Sequence, residues 1–537
     1  MKSTLAGGPA RTLRRTPKLS SLIQRTRSER RRAPALVDVT PGAAERAAIA
    51  SPSSTSLLVL GEAGHGKTTV LVHRVAHVVK EARGRLLAAV IVPTEGLVRL
   101  LQPMLRRVGA DVDVATFDAW AARQARRSFR FLPRESELTP PSVMRLKRDP
   151  ALRVVLAELA EREPGRLDDD HDAPVKRTGR RVSRGDLQHL FGDRVLMERV
   201  ARAASLPRTA VDDVLERTRV QTSPTAEHEY AHVNDRSRLR AIDGRAIDDG
   251  TATGHADTVD VEDYAVLFEL DRLRALARGK TPVPPSAFDL IAIDEAQEFA
   301  PLELSLMGRS LSPGGSLVVS GDADQQTDAT TAFLGWDAVT RELGQVSFQT
   351  VSLPIGHRCP PHVEALARRI RDGVPVSDVD FATIPFSSSS PPPPTERGAA
   401  TALRRFTDER MLCAELGREI ETVLGRDSRA SLAVVCRSPL TARRLVSKLR
   451  ETVPVRLVFD GRFLPRGPAQ ASTVDEVKGL EFDYVVVPDV DSSNYPDDAA
   501  SRRALYVAVT RARHQVVLAY TNVRSPVLDV GREAIRH

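Results

Sequence analysis

A glycine-rich run from Gly61 to Thr68, Gly-Glu-Ala-Gly-His-Gly-Lys-Thr, constrains the fold of this chain more than any other feature. The run fits G-x-x-x-x-G-K-[ST], follows the apolar residues 57–60, and precedes a stretch with helical spacing over Thr69–Glu81. Glycines in such a loop let successive backbone N–H groups point at phosphate oxygens, and the helix N-terminus adds partial positive charge. The pattern therefore predicts a strand, a phosphate-binding loop and a helix in that order.

The side chains of this loop have separable expected roles. We expect the Lys67 ammonium to reach the β- and γ-phosphates of a nucleotide and the Thr68 hydroxyl to hold Mg²⁺. The alternative is a glycine-rich turn that binds nothing, which the flanking strand and helix disfavour. The expected nucleotide-binding residues of the loop are Gly61, Glu62, Ala63, Gly64, His65, Gly66, Lys67, Thr68 and Thr69.

Two adjacent carboxylates follow a second apolar run. Residues 288–293 are typical of a buried parallel strand, and they end in Asp294-Glu295-Ala296-Gln297. Carboxylates at the end of such a strand face the phosphate loop in a doubly wound sheet. We expect Asp294 to hold Mg²⁺ through water, Glu295 to take a proton from an attacking water, and Gln297 to sense the γ-phosphate. A solvated acidic loop is the alternative interpretation.

Length and composition limit the class of protein. A chain of 537 residues can carry roughly two to four domains. Its hydrophobic content is 41% and no apolar run reaches membrane-spanning length, so we expect no membrane partner. Three cysteines without metal-ligand spacing predict a reducing compartment and no structural zinc. The first 32 residues lack an apolar core, which argues against a secretory signal.

Positive charge is concentrated at the N-terminus. Residues 1–32 hold ten Lys and Arg against Glu29, a net of +9, so the rest of a chain with net charge +8 carries 8 − 9 = −1. We expect a basic, disordered tail over residues 1–34 that adds salt-sensitive affinity for nucleic acid. A solubilising arm, a misassigned start codon and an organelle transit peptide are the alternatives. Bulk charge gives no argument that the folded body binds nucleic acid.

The order of predicted elements divides the chain into two domains. Strand and helix patterns alternate over residues 56–120, and the charged, mostly helical residues 121–285 break that alternation. Because the strand before Asp294 must join the sheet of the phosphate loop, we interpret 121–285 as an insertion in a first α/β domain over 35–345. A new strand–helix series after Leu343 predicts a second domain over 346–537, interrupted by a Ser/Pro loop at 387–394.

The ordered motifs resemble those of the UvrD/Rep-like superfamily 1 helicases from about Thr40 to Tyr520. Besides the phosphate loop and Asp-Glu-Ala-Gln, the similar runs are Gly321-Asp322-Ala323-Asp324-Gln325, Gly356-His357-Arg358, Lys478-Gly479-Leu480-Glu481-Phe482 and Leu505-Tyr506-Val507-Ala508-Val509-Thr510-Arg511-Ala512-Arg513. The motor is most similar to the HelD / helicase IV-like branch, on the runs His73–His77, Asp294–Pro301 and Trp336-Asp337. The resemblance implies an α/β fold with two tandem RecA-like P-loop motor domains and a helical insertion in the first.

The resemblance also implies site residues in the cleft between the two domains. ATP and Mg²⁺ would bind there, with Gln325 among the catalytic residues and Glu481 among those that contact the nucleotide. Arg358 and Arg511 would each supply guanidinium charge to the γ-phosphate, the arginine-finger role, and a surface ion pair is the alternative for both. Glu45 stands where the family usually places a glutamine that reads adenine.

A single-strand groove across both domains is implied as well. Hydroxyls and backbone N–H groups would bind phosphates, and an aromatic such as Trp336 would stack on a base, although a core tryptophan is an equal alternative. The residues implied to line this groove are Thr94, Thr116, Phe117, Trp336, Thr473 and Lys478.

The function implied by the resemblance is an ATP-hydrolysing translocase or DNA helicase of the DNA-repair type. It would move 3′ to 5′ along single-stranded DNA or DNA with a single-stranded tail. The implied localisation is cytoplasmic, of the bacterial type and associated with the nucleoid. One alternative is an ATP-driven remodeller of a protein–nucleic-acid complex that unwinds no duplex. Another is a nucleotide-dependent subunit of a defence system. The protein partner would then be RNA polymerase, a nuclease or a defence effector.

Overall fold

The computed structural model describes residues 41–82, 86–129, 132–136, 138–161, 182–223, 255–344, 347–353, 360–376 and 401–528. Three of the features expected from the sequence lie outside these ranges: the basic tail over 1–34, the arginine Arg358 and the Ser/Pro loop at 387–394.

Within these ranges, a first sheet of six parallel strands has the order β3-β2-β6-β7-β1-β8. Its strands are β1 Ser56–Leu60, β2 Ala88–Val92, β3 Asp113–Thr116, β6 Phe288–Ile293, β7 Leu311–Gly321 and β8 Phe348–Ser352. Alternate side chains of β6 enter different cores: Ile291 and Ile293 lie in one, Leu290 and Ala292 in the other. Both faces of the sheet are therefore covered, which explains why β6 is a continuous apolar run.

Helices of the first domain cover these two faces and form the insertion. Those outside the insertion are α1 Ala43–Ile49, α2 Lys67–Glu81, α3 Glu95–Arg107, α4 Phe117–Ser128, α11 Pro301–Gly308 and α12 Trp336–Glu342. Those of the insertion are α5 Pro141–Lys147, α6 Leu152–Ala160, α7 Arg184–Gly192, α8 Arg194–Ala203, α9 Arg208–Thr222 and α10 Glu262–Ala277. A short parallel pair, β4 Arg134–Glu135 and β5 Thr258–Val259, lies among them.

Buried ion pairs hold the insertion together. Lys147, with a side chain 1% exposed, contacts Asp260 at 2.9 Å and Asp263 at 2.7 Å. Arg274 contacts Asp186 at 2.6 Å, and both side chains are fully buried. Removing one partner of such a pair leaves an uncompensated buried charge, which costs about 3 to 5 kcal/mol. Each pair is therefore a strong constraint on how the helices of the insertion pack.

A second sheet, also of six parallel strands in the described chain, has the order β11-β12-β10-β13-β14-β9. Its strands are β9 Ala402–Arg405, β10 Leu432–Cys436, β11 Val455–Leu457, β12 Ala469–Thr473, β13 Phe482–Val487 and β14 Ala512–Tyr520. The helices of this domain are α13 Pro361–Asp372, α14 Glu409–Arg426, α15 Pro439–Leu449 and α16 Ala499–Val509. The predicted α/β fold class with parallel sheets is confirmed.

The expected domain boundary at residue 345 is wrong. Strand β8 over Phe348–Ser352 pairs in parallel with β1, so it is the edge strand of the first sheet. The first domain therefore extends at least to Ser352. Among the described helices, none combines the length and apolarity that a membrane crossing requires.

Candidate active site

The phosphate loop leaves the C-terminal end of β1 and enters α2, as predicted. Gly64 and Gly66 have φ values of +79° and +87°, a left-handed backbone that side chains with a Cβ rarely adopt. Helix α2 begins at Lys67, directly after Gly66. Glycine at these two positions thus gives the loop its tight path to a helix N-terminus.

Lys67 faces the loop that precedes it. Its Nζ donates to the carbonyl oxygens of Gly61 at 2.7 Å and Glu62 at 3.0 Å, and lies 3.9 Å from the Asp322 carboxylate. The side chain is only 6% exposed. An ammonium group in this position can exchange carbonyl contacts for phosphate oxygens without leaving the loop.

Thr68 and Asp294 are brought together across 226 positions of sequence, as the predicted magnesium site requires. The Thr68 hydroxyl donates to Asp294 Oδ2 at 2.9 Å, and the Ser320 hydroxyl donates to Oδ1 at 2.6 Å. Burial, and next the charge of Glu295, raise the pKa of Asp294 to about 6, while the bonds from Ser320 and Thr68 oppose the rise. A hydroxyl and a carboxylate are oxygen ligands that suit Mg²⁺.

Glu295 has a strained backbone next to this pair. Its φ of +55° is left-handed, which costs a residue other than glycine about 1 to 3 kcal/mol. The Gln297 Nε2 donates to Glu295 Oε2 at 2.6 Å, and Gln297 Oε1 accepts from the Asp322 backbone N–H at 3.1 Å. Gln297 therefore links the loop after β6 to the loop after β7 and orients the carboxylate of the expected base.

A continuous chain of polar contacts runs from the phosphate loop to the second sheet. Asp322, beside Lys67, accepts from Gln325 Nε2 at 2.7 Å. Gln325 Oε1 in turn accepts from an Arg511 Nη at 2.7 Å. Arg511 is 5% exposed and is also held by its own domain, since its Nε donates to the Val507 carbonyl at 3.0 Å. The structure thus joins two predicted site residues from different domains, Gln325 after β7 and Arg511 before β14.

Other contacts at the junction between the first and the second domain hold the two domains in the same relative position. The Ala63 backbone N–H donates to the Tyr506 hydroxyl at 3.4 Å, which ties the phosphate loop to α16. Lys478 forms a buried ion pair with Glu298 at 3.1 Å. Burial opposes the charge of Lys478, but Glu298 and Asp475 outweigh it and raise the pKa of the ammonium. The two sheets are therefore held in a closed arrangement by groups that pair in it.

Glu481, expected to contact the nucleotide, pairs with Arg513 at 2.9 Å. Thr69, the last of the expected loop residues, is 4% exposed in the first turn of α2.

The residues implied to line a nucleic-acid groove lie in different structural environments: at helix caps, at a strand end and against the first core. Thr94 and Thr116 cap α3 and α4, since their hydroxyls accept from the N–H groups of Leu97 at 3.4 Å and Ala119 at 3.2 Å. Thr473 ends β12 and is 4% exposed. Trp336 is partly buried against the first core, with its ring centroid 4.9 Å from that of Phe333.

Two of the implied groove residues face the interior. The Phe117 ring is 3% exposed and packs 6.0 Å from both Trp120 and Phe299, measured between ring centroids. It therefore offers no stacking face to a nucleic-acid strand in this structure. The Lys478 ammonium is engaged by carboxylates at the domain junction, as described above, rather than presented to a phosphate backbone.

Sequence reasoning did not assign roles to three residues that shape the site. Asp322 and Tyr506 lie inside runs that the motif comparison singled out, so their positions were visible although their contacts were not. Ser320 has no sequence signal, because its role depends on β6 and β7 being neighbours in the sheet.

Comparison with known proteins finds similarity to a helicase domain family. Residues 468–519, from β12 into β14, match the UvrD-like helicase C-terminal domain. No curated protein matches the chain. A solved structure, the C-terminal domain of a possible DNA helicase from Lactobacillus plantarum WCFS1, is 18% identical and aligns over 33% of this chain and 96% of that one, with a TM-score of 0.26. The matched segment supports a relation to the UvrD-like superfamily and a helicase-type function in DNA processing.

Proposed function

We propose that the chain is an ATP-dependent translocase or helicase that moves 3′ to 5′ on single-stranded DNA, with a motor of the HelD / helicase IV-like type. The observation that carries the proposal is the chain of contacts from Lys67 through Asp322 and Gln325 to Arg511. Because hydrolysis at such a junction requires both domains, each turnover is tied to their opening and closing. Coupled opening and closing is what a motor needs in order to step along a strand.

The donor set fits ATP with Mg²⁺. Lys67 and the glycine-rich backbone would hold the phosphates, and the oxygens of Thr68 and Asp294 would hold the metal. The bound ion would neutralise charge on the phosphates. Glu295 would accept the proton of the attacking water, Gln297 and Gln325 would respond to the γ-phosphate, and Arg511, with Arg358, would stabilise the charge that develops there.

ATPase assays with and without single-stranded DNA and RNA test this proposal. We expect hydrolysis to rise on addition of single-stranded DNA and a labelled strand to be displaced from a duplex with a 3′ tail. The Lys67→Ala variant, purified in parallel, measures contaminating activity. A rate independent of nucleic acid, or one stimulated only by a protein partner, would contradict the proposal and favour a remodeller or a defence subunit.

A further inference from the structure

His65 of the phosphate loop has an unusual environment. His65 is 4% exposed, and its Nδ1 lies 2.7 Å from the Leu353 carbonyl oxygen. A carbonyl can only accept, so Nδ1 carries a hydrogen and the neutral ring presents a lone pair at Nε2. That Nε2 atom is buried and has no hydrogen-bond partner in the described chain. A histidine fixed through Nδ1 by a backbone carbonyl is the usual arrangement of a metal ligand.

Two carboxylates lie close to the His65 ring. One donor atom from each of Glu62, His65 and Glu364 lies within 4.8 Å of the other two. We call these three residues the loop–helix triad, since Glu364 belongs to α13. The Glu62 and Glu364 side chains are 31% and 27% exposed, so an ion can reach them from solvent.

The charges around the triad favour a divalent cation. Glu62, Glu364, Asp324 and Asp372 contribute four negative charges, and Arg368 and Arg371, which pair with them at 2.6 to 3.6 Å, contribute two positive charges. The sum is −4 + 2 = −2.

We propose that the loop–helix triad binds one divalent transition-metal ion of the zinc type. An imidazole nitrogen with two carboxylates suits zinc, with water in a fourth position, whereas Mg²⁺ prefers oxygen ligands in an octahedron. Tetrahedral zinc needs donor atoms roughly 3.4 Å apart. To close the remaining distance, the two part-exposed glutamates must rotate away from Arg368 and Arg371, so the ion has to compete with these ion pairs. This site is separate from the Thr68–Asp294 pair.

Such an ion would clamp the phosphate loop to the second domain. Glu62 and His65 lie on the loop, whereas Glu364 lies on the first described helix after the first sheet, which packs against α16. Bound metal would therefore restrain the opening of the cleft and slow turnover. This consequence rests on the proposed ATPase function, but metal binding itself does not.

Titration of Zn²⁺ into the nucleotide-free full-length chain, followed by calorimetry in buffer without Mg²⁺, tests the site. We expect one ion per chain, and we expect Glu364→Gln to weaken binding at least about tenfold. Glu421→Gln, which removes an exposed carboxylate from α14, is the matched control and leaves binding unchanged. Glu364 lies outside the ATP-binding groups, so its variant keeps basal ATPase activity and loses inhibition by Zn²⁺.

A second readout is the visible absorption of bound Co²⁺, which reports the coordination geometry of the ion, and comparison with His65→Ala tests whether the imidazole is a ligand. Wild-type protein should show the band, and His65→Ala should lose it. Absence of saturable Zn²⁺ binding by wild-type protein, or an unchanged affinity in Glu364→Gln, would overturn the site. Because these measurements contain no ATP and no DNA, they separate failure of the metal site from failure of the proposed function.

Discussion

At the residue scale, groups aimed at a ligand differ from groups that hold the fold. The Lys67 ammonium contacts two carbonyls of its own loop and the Asp322 carboxylate. Glu295 is held by Gln297 on a strained backbone. Neither contact fills a core, so removing either functional group should affect chemistry before stability.

The first prediction compares two substitutions in this site. Lys67→Ala should lose nearly all ATPase activity, because the charge that holds the phosphates is gone. Glu295→Gln should still bind ATP but fail to hydrolyse it, since only the base is removed. Nucleotide binding by fluorescence, hydrolysis by phosphate release and melting by circular dichroism separate the two effects. Normal turnover in Lys67→Ala, or lost ATP binding in Glu295→Gln, would contradict the assigned roles.

At the scale of the elements, the C-terminal end of β7 is packed so closely that only glycine fits at its last position. A Cβ on Gly321 would collide with Gln297 Oε1 and with the Trp336 ring. The Trp336 ring therefore packs against the end of β7. Because Gln297 packs there too, the positions of the loops after β6 and β7 constrain each other.

The second prediction follows from this packing. Gly321→Ala should displace Gln297 and lower both melting temperature and ATPase rate, by a cost of about 1 to 3 kcal/mol typical of overpacking. Gly425→Ala is the matched control, because Gly425 is an exposed glycine in α14 with open space around it. That change should be neutral or stabilising by up to about 1 kcal/mol. Equal melting temperatures for the two variants would refute the packing argument.

Elements with a strong local hydrophobic pattern could be predicted from the sequence. Elements whose place depends on the strand with which they pair could not. Strand β6 was predicted with its observed bounds because both its faces are buried, which gives a continuous apolar run. The edge strand β8, Phe-Gln-Thr-Val-Ser, is mostly exposed and was assigned to the wrong domain. Thr94 and Thr116 illustrate a further limit, because a threonine before a helix suits a cap as well as a phosphate contact.

At the scale of the whole molecule, the junction of the two sheets is held by buried polar pairs rather than by bulk charge. The side chains of Glu298 and Lys478 are 2% and 9% exposed, and Thr327 donates to Asp475 at 3.0 Å beside them. Such groups are costly to bury unless they are paired, so they favour one relative position of the domains.

The third prediction tests this pairing. Lys478→Met should destabilise the closed protein by about 3 to 5 kcal/mol, because it leaves the buried Glu298 carboxylate without a cation, with the Thr327 and Asp328 backbone N–H groups still bonded to it. Lys448→Met removes the exposed pair with Glu409, whose side chains are 44% and 27% exposed, and should cost no more than about 1 kcal/mol. Urea unfolding of both variants, with the double variant Glu298→Gln/Lys478→Met, completes the comparison. Similar losses in both single variants would show that the junction pair has no special role.

The most direct test of the two-domain site is hydrolysis by Arg511→Ala. Arg511 meets Gln325 across the junction, so its loss should leave ATP affinity within a modest factor and cut DNA-stimulated turnover on the ~10³-fold scale of arginine fingers. DNA binding should persist, and Arg418→Ala, which removes an exposed arginine of the second domain, should behave as wild type. Hydrolysis by Arg511→Ala at the normal DNA-stimulated rate would contradict the account.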